Sequence, residues 1–402
     1  MHIAICGPIS LKLMKDDVDG VAQLPSGYLY PFAAFLAKEY LKAGHNVSIV
    51  TSVDSVLETC KWTGDRCSIV VTPRRARARD LIQTFYRREV GAMATALKQL
   101  APDVIHAQWT YEFADAALRT GIPTLVTARD SPWRIAWLMK QPYRLLRAFY
   151  AQFAILPRIK YLSTISPYMI RELRRGHGVF RPIYLVPNGI DKGRMNPSPV
   201  MREGKIDSPR IMSVSDWGPR KNIITTLEAF KLIQASRANA QLTLVGNGLG
   251  ADGPAEIYCR QNKIPTRDIR FLGYQAQDHI LDLLRNETDI FLHTTLEESF
   301  CVTILEAMAQ GVPCIGGSGS GAIPWLLDEG IAGKLVNVGA ASAVADAVSS
   351  LCDDPDARRK IAGSGYRRVN EHFLLDQVAR KYLEIFDQIM LASKNILLVR
   401  PC

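Results

Sequence analysis

Short runs of apolar, mainly β-branched residues recur along the chain and are separated by longer segments of mixed polarity. Because the runs are apolar on both faces and alternate with helix-like segments, they predict parallel strands covered by helices on both sides. In the first half of the chain the predicted strands are residues 2–6, 46–51, 68–71, 103–107, 124–127 and 183–186, and a helix is predicted over 27–44.

The pattern breaks between residues 187 and 210, where prolines and glycines are frequent and no apolar periodicity remains. The sequence therefore predicts an α/β fold of two Rossmann-like, doubly wound domains that face a cleft, with domains at 1–187 and 210–370 and a linker at 188–209. Ligands in such sheets bind beyond the carboxyl ends of the strands. In the second half the predicted strands are 210–214, 241–246, 269–273, 289–293 and 312–317, and an amphipathic helix is predicted over 372–390.

Composition narrows the class of protein. The 402 residues are 48% hydrophobic and 22% charged, which is typical of globular proteins, and no apolar run reaches the roughly 18 residues needed to cross a bilayer. The apolar opening, 2–6, is too short for a secretory signal, so we expect a cytoplasmic chain. The cysteines show no zinc-ligand spacing, and we expect neither a metal site nor a disulfide between Cys60 and Cys67.

Charge is distributed unevenly along the chain. Residues 1–190 hold 25 basic and 14 acidic side chains, whereas residues 191–402 hold 24 and 25. Two arginine-rich stretches, 74–89 and 129–160, lie in the basic half, and the second is interleaved with aromatic residues. Basic and aromatic residues along a helix suit a membrane interface, and equally the solvated face of a core helix. A nucleic-acid partner is a third interpretation, which no recognisable motif supports.

The segment 297–335 is the richest in candidate chemistry. Glu298 is predicted to lie in the loop after strand 289–293, beside the N-terminus of a helix whose free N–H groups attract anions. Thr303 and Glu306 fit a capping box, so Glu306 has a structural interpretation as well as a functional one.

The other motifs are weaker. The glycine-rich stretch 316–324 suits a phosphate, and Lys221 can supply a point charge for it. The stretch 246–253 matches a dinucleotide fingerprint, but the next strand lacks the terminal acid that would hold a ribose, which argues against NAD. The Asp-Val-Asp sequence at 17–19 is interpreted as a solvated loop rather than a metal site.

In this order and context, the motifs resemble the retaining, GT-B-fold, nucleotide-sugar-dependent glycosyltransferases of family 4, also called group 1 glycosyltransferases. The resemblance covers nearly the whole chain and is densest over 241–336. It rests on VPNGID (186–191), Lys221-Asn222, LTLVGNG (242–248), RFLGY (270–274), the pair Glu298 and Glu306, and LEAMAQGVPCI (305–315).

The resemblance implies a nucleotide-sugar donor, a saccharide or lipid-linked acceptor, no cofactor and no metal requirement. Glu306 would hold the ribose, Glu298 the transferred sugar, and Lys221 with Arg220 the diphosphate. The other residues that the resemblance places on the donor are Gly246, Gly273, Tyr274, Ser299, Phe300, Cys301 and Val302.

The resemblance gives the first domain the acceptor side. Arg129 and Asp130 would join Glu298 in catalysis, and Gly27 and His106 would lie near the acceptor, although a histidine at a strand end is usually structural. The helix 371–392 would pack back on this domain.

The sequence departs from the family pattern at several positions. Asp216 and Arg129 stand where the family usually has an arginine and a histidine, and Ser299 and Cys301 replace glycines. The predicted function is sugar transfer with retention, by a protein that is peripheral at an anionic membrane. The alternatives are a catalytically weak nucleotide-sugar-binding protein and, with less support, a basic nucleic-acid-binding protein.

Overall fold

A computed structural model describes residues 1–199 and 203–398, and the chain divides into two compact units. The first unit contains Met1–Gly189 and the last helix, and the second contains Ile190–Leu374. Most of the segment predicted as a linker belongs to the second unit. Asn196 N donates to Ala309 O at 3.1 Å and Ile206 N to Cys352 O at 3.0 Å, so the described residues on either side of 200–202 pack on the unit.

The first unit is built on one sheet whose inner strands are buried on both faces, which explains their continuous apolar runs. Its strands are β1 His2–Cys6, β2 Asn46–Val53, β3 Cys60–Thr63, β4 Cys67–Pro73, β5 Val104–Gln108, β6 Thr124–Ala128, β7 Tyr161–Thr164 and β8 Ile183–Leu185. Their order in the sheet is β3-β4-β2-β1-β5-β6-β7-β8. Neighbouring strands are parallel except β3 and β4, which form an antiparallel pair. Strands β3 and β7 are additions to the predicted set.

The helices between these strands follow local start and stop signals. Proline occupies the first turn of three of them, where its missing N–H is not needed. In one of the three, Ser166 also caps the start by accepting from Met169 N at 3.2 Å. The helices are α1 Phe32–Lys42, α2 Ala78–Gln83, α3 Arg87–Leu100, α4 Glu112–Leu118, α5 Pro132–Met139, α6 Pro142–Phe149 and α7 Pro167–His177. The predicted helix 27–44 begins later, because Gly27 pairs with Ser10 in the loop that precedes α1.

The last helix of the described chain, Leu375–Leu398, packs on the first unit. Its Tyr382 and Phe386 lie in the same apolar core as Tyr40 on α1, and the Tyr40 and Phe386 rings meet edge to face at 5.7 Å. The resemblance implied this placement. In the part of the chain that the structure describes, this helix and all others lack the combination of length and apolarity needed to cross a membrane.

The second unit contains a parallel sheet in the order β11-β10-β9-β12-β13-β14. Its strands are β9 Arg210–Val214, β10 Gln241–Val245, β11 Ile269–Gly273, β12 Ile290–His293, β13 Cys314–Gly317 and β14 Lys334–Val336. Its helices are α8 Ile223–Ser236, α9 Pro254–Gln261, α10 Gln277–Glu287, α11 Val302–Ala309, α12 Ile323–Leu326, α13 Ala341–Asp353 and α14 Pro355–His372; the last helix, Leu375–Leu398, is α15. The strand order reverses between β9 and β12, and such a switch point is where doubly wound sheets bind ligands.

Candidate functional site

The loops that follow β9 and β12 meet at this switch point and are hydrogen-bonded to each other. Leu296 N donates to Arg220 O at 2.9 Å, and the Asn222 side chain donates to Thr294 O at 3.1 Å. Thr294 Oγ1 donates in turn to Asn222 O at 2.9 Å. These bonds hold one loop against the other and bring their candidate side chains together.

Glu298 is 8% exposed and has three ionisable neighbours. Lys221 Nζ donates to its carboxylate, Arg220 Nη1 lies 3.7 Å from Oε2, and His293 Nε2 lies 3.5 Å from Oε1. Burial raises the pKa of Glu298, but the charges of Lys221, His293 and Arg220 outweigh it and hold the pKa well below its ordinary value. The carboxylate is therefore charged, and Lys221, which was expected to face a phosphate, is its ion-pair partner in this structure.

His293 is a functional candidate that the sequence analysis missed. It ends β12 and is 2% exposed. Burial lowers the pKa of His293, but Cys301 and Glu298 outweigh that effect and raise the pKa to about 9. The signal available in the sequence was a polar residue at the end of an otherwise apolar strand.

Glu306 lies inside α11 instead of capping it. The helix begins at Val302, and no side chain caps its start, so the capping box predicted for Thr303 and Glu306 is wrong. Glu306 lies in the second turn, beyond the position that a capping box requires, and its carboxylate accepts from Gln277 Nε2. Burial raises the pKa of Glu306 to about 7, against the opposing effects of Gln277 and Arg194.

Gln277 connects Glu306 to the loop after β11. Tyr274 in that loop is 58% exposed, so its ring is available to stack on a planar ligand. Of the residues that the resemblance places on the donor, Val302 is 40% exposed and Ser299 is half-buried. Phe300 is buried and packs edge to face on Trp325 and Phe373, so its side chain supports the loop from behind.

The glycines near the site allow loops to approach one another. A side chain at Gly321 would collide with the backbone of Glu298, and Ala322 N donates to Glu298 O at 2.8 Å. A side chain at Gly246, whose φ is 136°, would collide with Ser215 O, and a side chain at Gly248 would come within 2.6 Å of Trp217 Cβ. The dinucleotide-like glycines thus serve the packing of the loops around the site.

Asp216, the departure from the expected arginine, has its own partner. Its Oδ1 accepts from both the backbone N and the side-chain Nδ2 of Asn247 at 3.1 Å. Arg220 instead donates to Glu297 O at 2.7 Å. The two loops after β9 and β10 are therefore joined by a carboxylate, and the cationic side chains of this site come from Arg220 and Lys221.

The first unit places Arg129 in a buried cage. Its guanidinium donates to Gln108 Oε1 at 2.6 Å and to Asn188 Oδ1 at 2.7 Å, and it lies 4.7 Å from the ring of Phe32 and 5.4 Å from that of Tyr30. At 5% exposure and with a permanent charge, Arg129 cannot exchange a proton as a histidine would. The neighbouring Asp130 accepts from Tyr111 Oη at 3.1 Å.

His106 and Gly27, both predicted on the acceptor side, have different environments. His106 is fully buried, its ring lies 4.5 Å from that of Tyr382, and Thr127 is a hydrogen-bond partner at 2.8 Å. Burial and then Arg129 hold the pKa of His106 well below its ordinary value, so His106 is a neutral core residue in this structure, and its place near the acceptor stays a prediction. Gly27, with φ 72°, lines an open surface pocket of about 690 Å³ whose other walls include Tyr28 and Arg74.

Comparison with known proteins identifies the fold and the family. The model of the family "Glycosyltransferase Family 4" matches residues 32–194 and that of "Glycosyl transferases group 1" matches residues 202–368. A sucrose-phosphate synthase from Thermosynechococcus elongatus superposes with a TM-score of 0.75 over 98% of this chain and 100% of that one, at 17% identity. Anabaena HepE, solved with UDP-glucose, gives 0.69 over 96% and 100%, also at 17% identity. The fold and site define a GT-B protein.

Sequence relatives specify the family further. The chain is 31% identical over 46% of its length to N-acetyl-alpha-D-glucosaminyl L-malate synthase of Bacillus anthracis, and 24% identical over 65% to trehalose synthase of Pyrococcus horikoshii. These alignments span 47% and 65% of the relatives' own lengths. The chain belongs to the group 1 glycosyltransferases of family 4.

Proposed function

We propose that this protein transfers a sugar from a nucleotide-diphosphate sugar to a saccharide or lipid-linked acceptor, with retention of the anomeric configuration. The observation that carries the proposal is the charged cluster of Glu298, Lys221 and Arg220 at the switch point of the second unit. Family membership and the sugar-transferring relatives agree with it.

The cluster supplies what cleavage of a glycosidic phosphate bond requires. The sugar gains oxocarbenium character while the leaving diphosphate gains negative charge, and fixed charges that favour both lower the barrier. Lys221 and Arg220 are positioned to move from Glu298 to the diphosphate, and Glu298 then remains beside the sugar. Glu306 would accept from the ribose hydroxyls, and Tyr274 would stack on the base. Retention follows when the leaving phosphate takes the acceptor's proton on the face that it vacates.

A thermal-shift screen with UDP, GDP, ADP and dTDP tests donor binding. A nucleotide at about 100 times its Kd should raise the unfolding free energy by about 2.7 kcal/mol. Donor turnover with and without added sugar acceptors, followed by NMR of the product anomer, tests transfer and retention. Tight nucleotide binding without any donor turnover would favour the catalytically weak alternative, for which the caged Arg129 gives a physical reason.

We propose further that the first unit docks on anionic membranes, which would bring it to a lipid-linked acceptor. Large apolar side chains are exposed along α5, α6 and the turn that follows, among them Trp137 at 73% and Phe153 at 69%. Exposed basic residues lie in the same stretch and beside it, including Lys140 and Arg87. Arg74 and Arg75, part of the predicted patch, are engaged internally. Arg74 donates to Tyr28 Oη at 2.6 Å and Arg75 to Glu89 at 2.8 Å.

Vesicle co-sedimentation tests the membrane proposal. Each basic residue near an anionic surface contributes about 1 kcal/mol, so binding should appear only with anionic lipid and weaken with salt. Trp137→Ser and Phe153→Ser should each reduce binding, whereas Ile331→Ser, which removes an exposed apolar side chain from the second unit, should not. Equal binding to neutral and anionic vesicles would contradict the proposal.

A further inference from the structure

A cluster of side chains around Glu298 contains potential metal ligands, which sugar transfer does not require. His293, Glu298 and Cys301 each present one metal-binding atom, and these atoms lie within 4.8 Å of one another. All three residues are at least nine-tenths buried. Neither ring nitrogen of His293 makes a hydrogen bond among the residues that the structure describes. Its Nε2 lies 3.5 Å from Glu298 Oε1, so the buried ring is near an opposite charge but is not hydrogen-bonded to it. Buried groups of this kind usually have a partner.

We propose that His293, Glu298 and Cys301 bind a thiophilic divalent cation, Zn²⁺ in the first instance, and that this cation competes with the nucleotide-sugar. An imidazole nitrogen, a thiolate and a carboxylate are ligands that Zn²⁺ takes in tetrahedral sites, with a fourth position left for water. Mg²⁺ and Ca²⁺ prefer oxygen ligands, so this set selects against them. On binding, the thiol proton of Cys301 and the proton on the coordinating ring nitrogen of His293 pass to solvent, so that a thiolate and a neutral imidazole coordinate the ion.

The backbone at Cys301 supports a task for its side chain. Its φ of 81° lies in the left-handed region, which is strained for a residue with a Cβ and costs glycine least. Cys301, the N-cap residue of α11, adopts this conformation although it has a Cβ. Strained positions that persist often carry a function.

The cations that neutralise Glu298 oppose the metal. Lys221 donates to the same carboxylate, so an ion on Glu298 displaces it or shares the carboxylate with it. Because Glu298 and Lys221 are also the proposed donor contacts, metal and donor exclude one another. This exclusion rests on the proposed function, whereas metal binding by itself does not.

Titration of the full chain with Co²⁺ tests the site directly. We expect one equivalent of Co²⁺ to give a thiolate-to-metal charge-transfer band with the visible bands of tetrahedral cobalt, and one equivalent of Zn²⁺ to abolish them. Cys301→Gly and His293→Gln should lose the charge-transfer band. Cys301→Gly fits the left-handed backbone, and circular dichroism will show that it folds. The matched controls are Cys60→Ser and His279→Gln, which should keep the band. Lys221→Gln should bind Co²⁺ at least about tenfold more tightly, because a competing cation is removed.

A missing charge-transfer band in the parent chain would overturn the metal site. A band that persists in Cys301→Gly would also overturn it, because the cobalt would then be bound adventitiously at another thiol. Inhibition of transfer by Zn²⁺ is then measured at several donor concentrations, and each variant is compared with its own uninhibited rate. Inhibition should be relieved by donor in the parent and absent in Cys301→Gly. A charge-transfer band in a protein that binds no donor would contradict the proposed function but support the metal site. Normal sugar transfer by a protein that gives no band would contradict the metal site but support the proposed function.

Discussion

The two units share a sheet topology but use its switch point differently. Strand β1 lies between β2 and β5, and β9 lies between β10 and β12. In the second unit the loops at this point carry Lys221 and Glu298. In the first unit the region beside β5 is closed, because a side chain on Gly7 would come within 2.5 Å of Gln108 Cβ and Gln108 is itself bonded to Arg129. Topology offers a position for a site, and the residues placed there decide whether a ligand can use it.

The strongest test of this contrast is Glu298→Gln. The change removes the charge that pairs with Lys221 and that faces the developing positive charge on the sugar. We expect kcat/KM for transfer to fall on the order of 10²–10³-fold, as for the loss of one preorganised electrostatic contact. Steady-state kinetics with the best donor measures it.

The control for this variant is Glu256→Gln, in the same unit but in an exposed ion pair with Arg260. It should leave kcat/KM within twofold of the parent, on the order of what a surface pair contributes. If Glu298→Gln also left kcat/KM within twofold of the parent, the switch point of the second unit would have no more functional role than that of the first.

Glu306→Gln should act on binding and on pH dependence. Loss of a charged acceptor for the ribose hydroxyls should weaken nucleotide binding by about 1–3 kcal/mol. Folding raises the pKa of Glu306 from 4.5 to about 7, so the protonated form stabilises the fold. That contribution is complete below about pH 4.5, is lost as pH rises through 7, and amounts to about 3 kcal/mol at most.

Urea unfolding at several pH values measures this effect. The parent should lose stability between pH 4.5 and 8, and Glu306→Gln, which mimics the neutral acid, should lose less. Nucleotide affinity of the parent should rise over the same range, because the ionised carboxylate is the better acceptor. Parallel profiles for parent and variant would exclude Glu306 as the titrating group.

The apolar pattern predicted most of the inner strands of both sheets because they are buried on both faces. It missed β7, an inner strand whose buried Ser163 and Thr164 are polar. Strand β3 pairs through one neighbour at the sheet edge and has alternating exposure, so it gives no such run and was missed. The candidate site was predicted through matched motifs, which named Glu298, Glu306 and Lys221, and the donor roles of these residues stay predictions. His293 and the Lys221–Glu298 ion pair were not predicted, because both depend on how two loops far apart in sequence meet.

Asp216→Arg is expected to have a small net effect. An added cation near the phosphates favours binding at short range, but the substitution also removes the two bonds from Asn247 that join the loops after β9 and β10. We expect nucleotide binding to tighten by less than about 1 kcal/mol while the unfolding free energy falls by about 1 kcal/mol. Calorimetry and thermal unfolding, with Asp216→Asn as the uncharged control, separate the two. Weaker binding in Asp216→Arg but not in Asp216→Asn would place Asp216 away from the phosphates.

The smallest expected effect is that of a chelator, and it contrasts the acidic side chains of the two units. In the first unit, Asp17 of the Asp-Val-Asp sequence lies 3.4 Å from Lys38 Nζ, so a lysine already offsets its charge. In the second unit, Lys221 and Arg220 can neutralise a leaving diphosphate without an ion, since two cations at short range supply the stabilisation that a metal would. Transfer in excess EDTA should therefore equal transfer without it, or exceed it if traces of a thiophilic cation occupy the cluster at Cys301. Complete loss of activity in EDTA that Mg²⁺ or Mn²⁺ restores would show that the diphosphate needs an oxygen-bound metal. The leaving diphosphate would then be neutralised by a metal held by carboxylates, and not by Lys221 and Arg220.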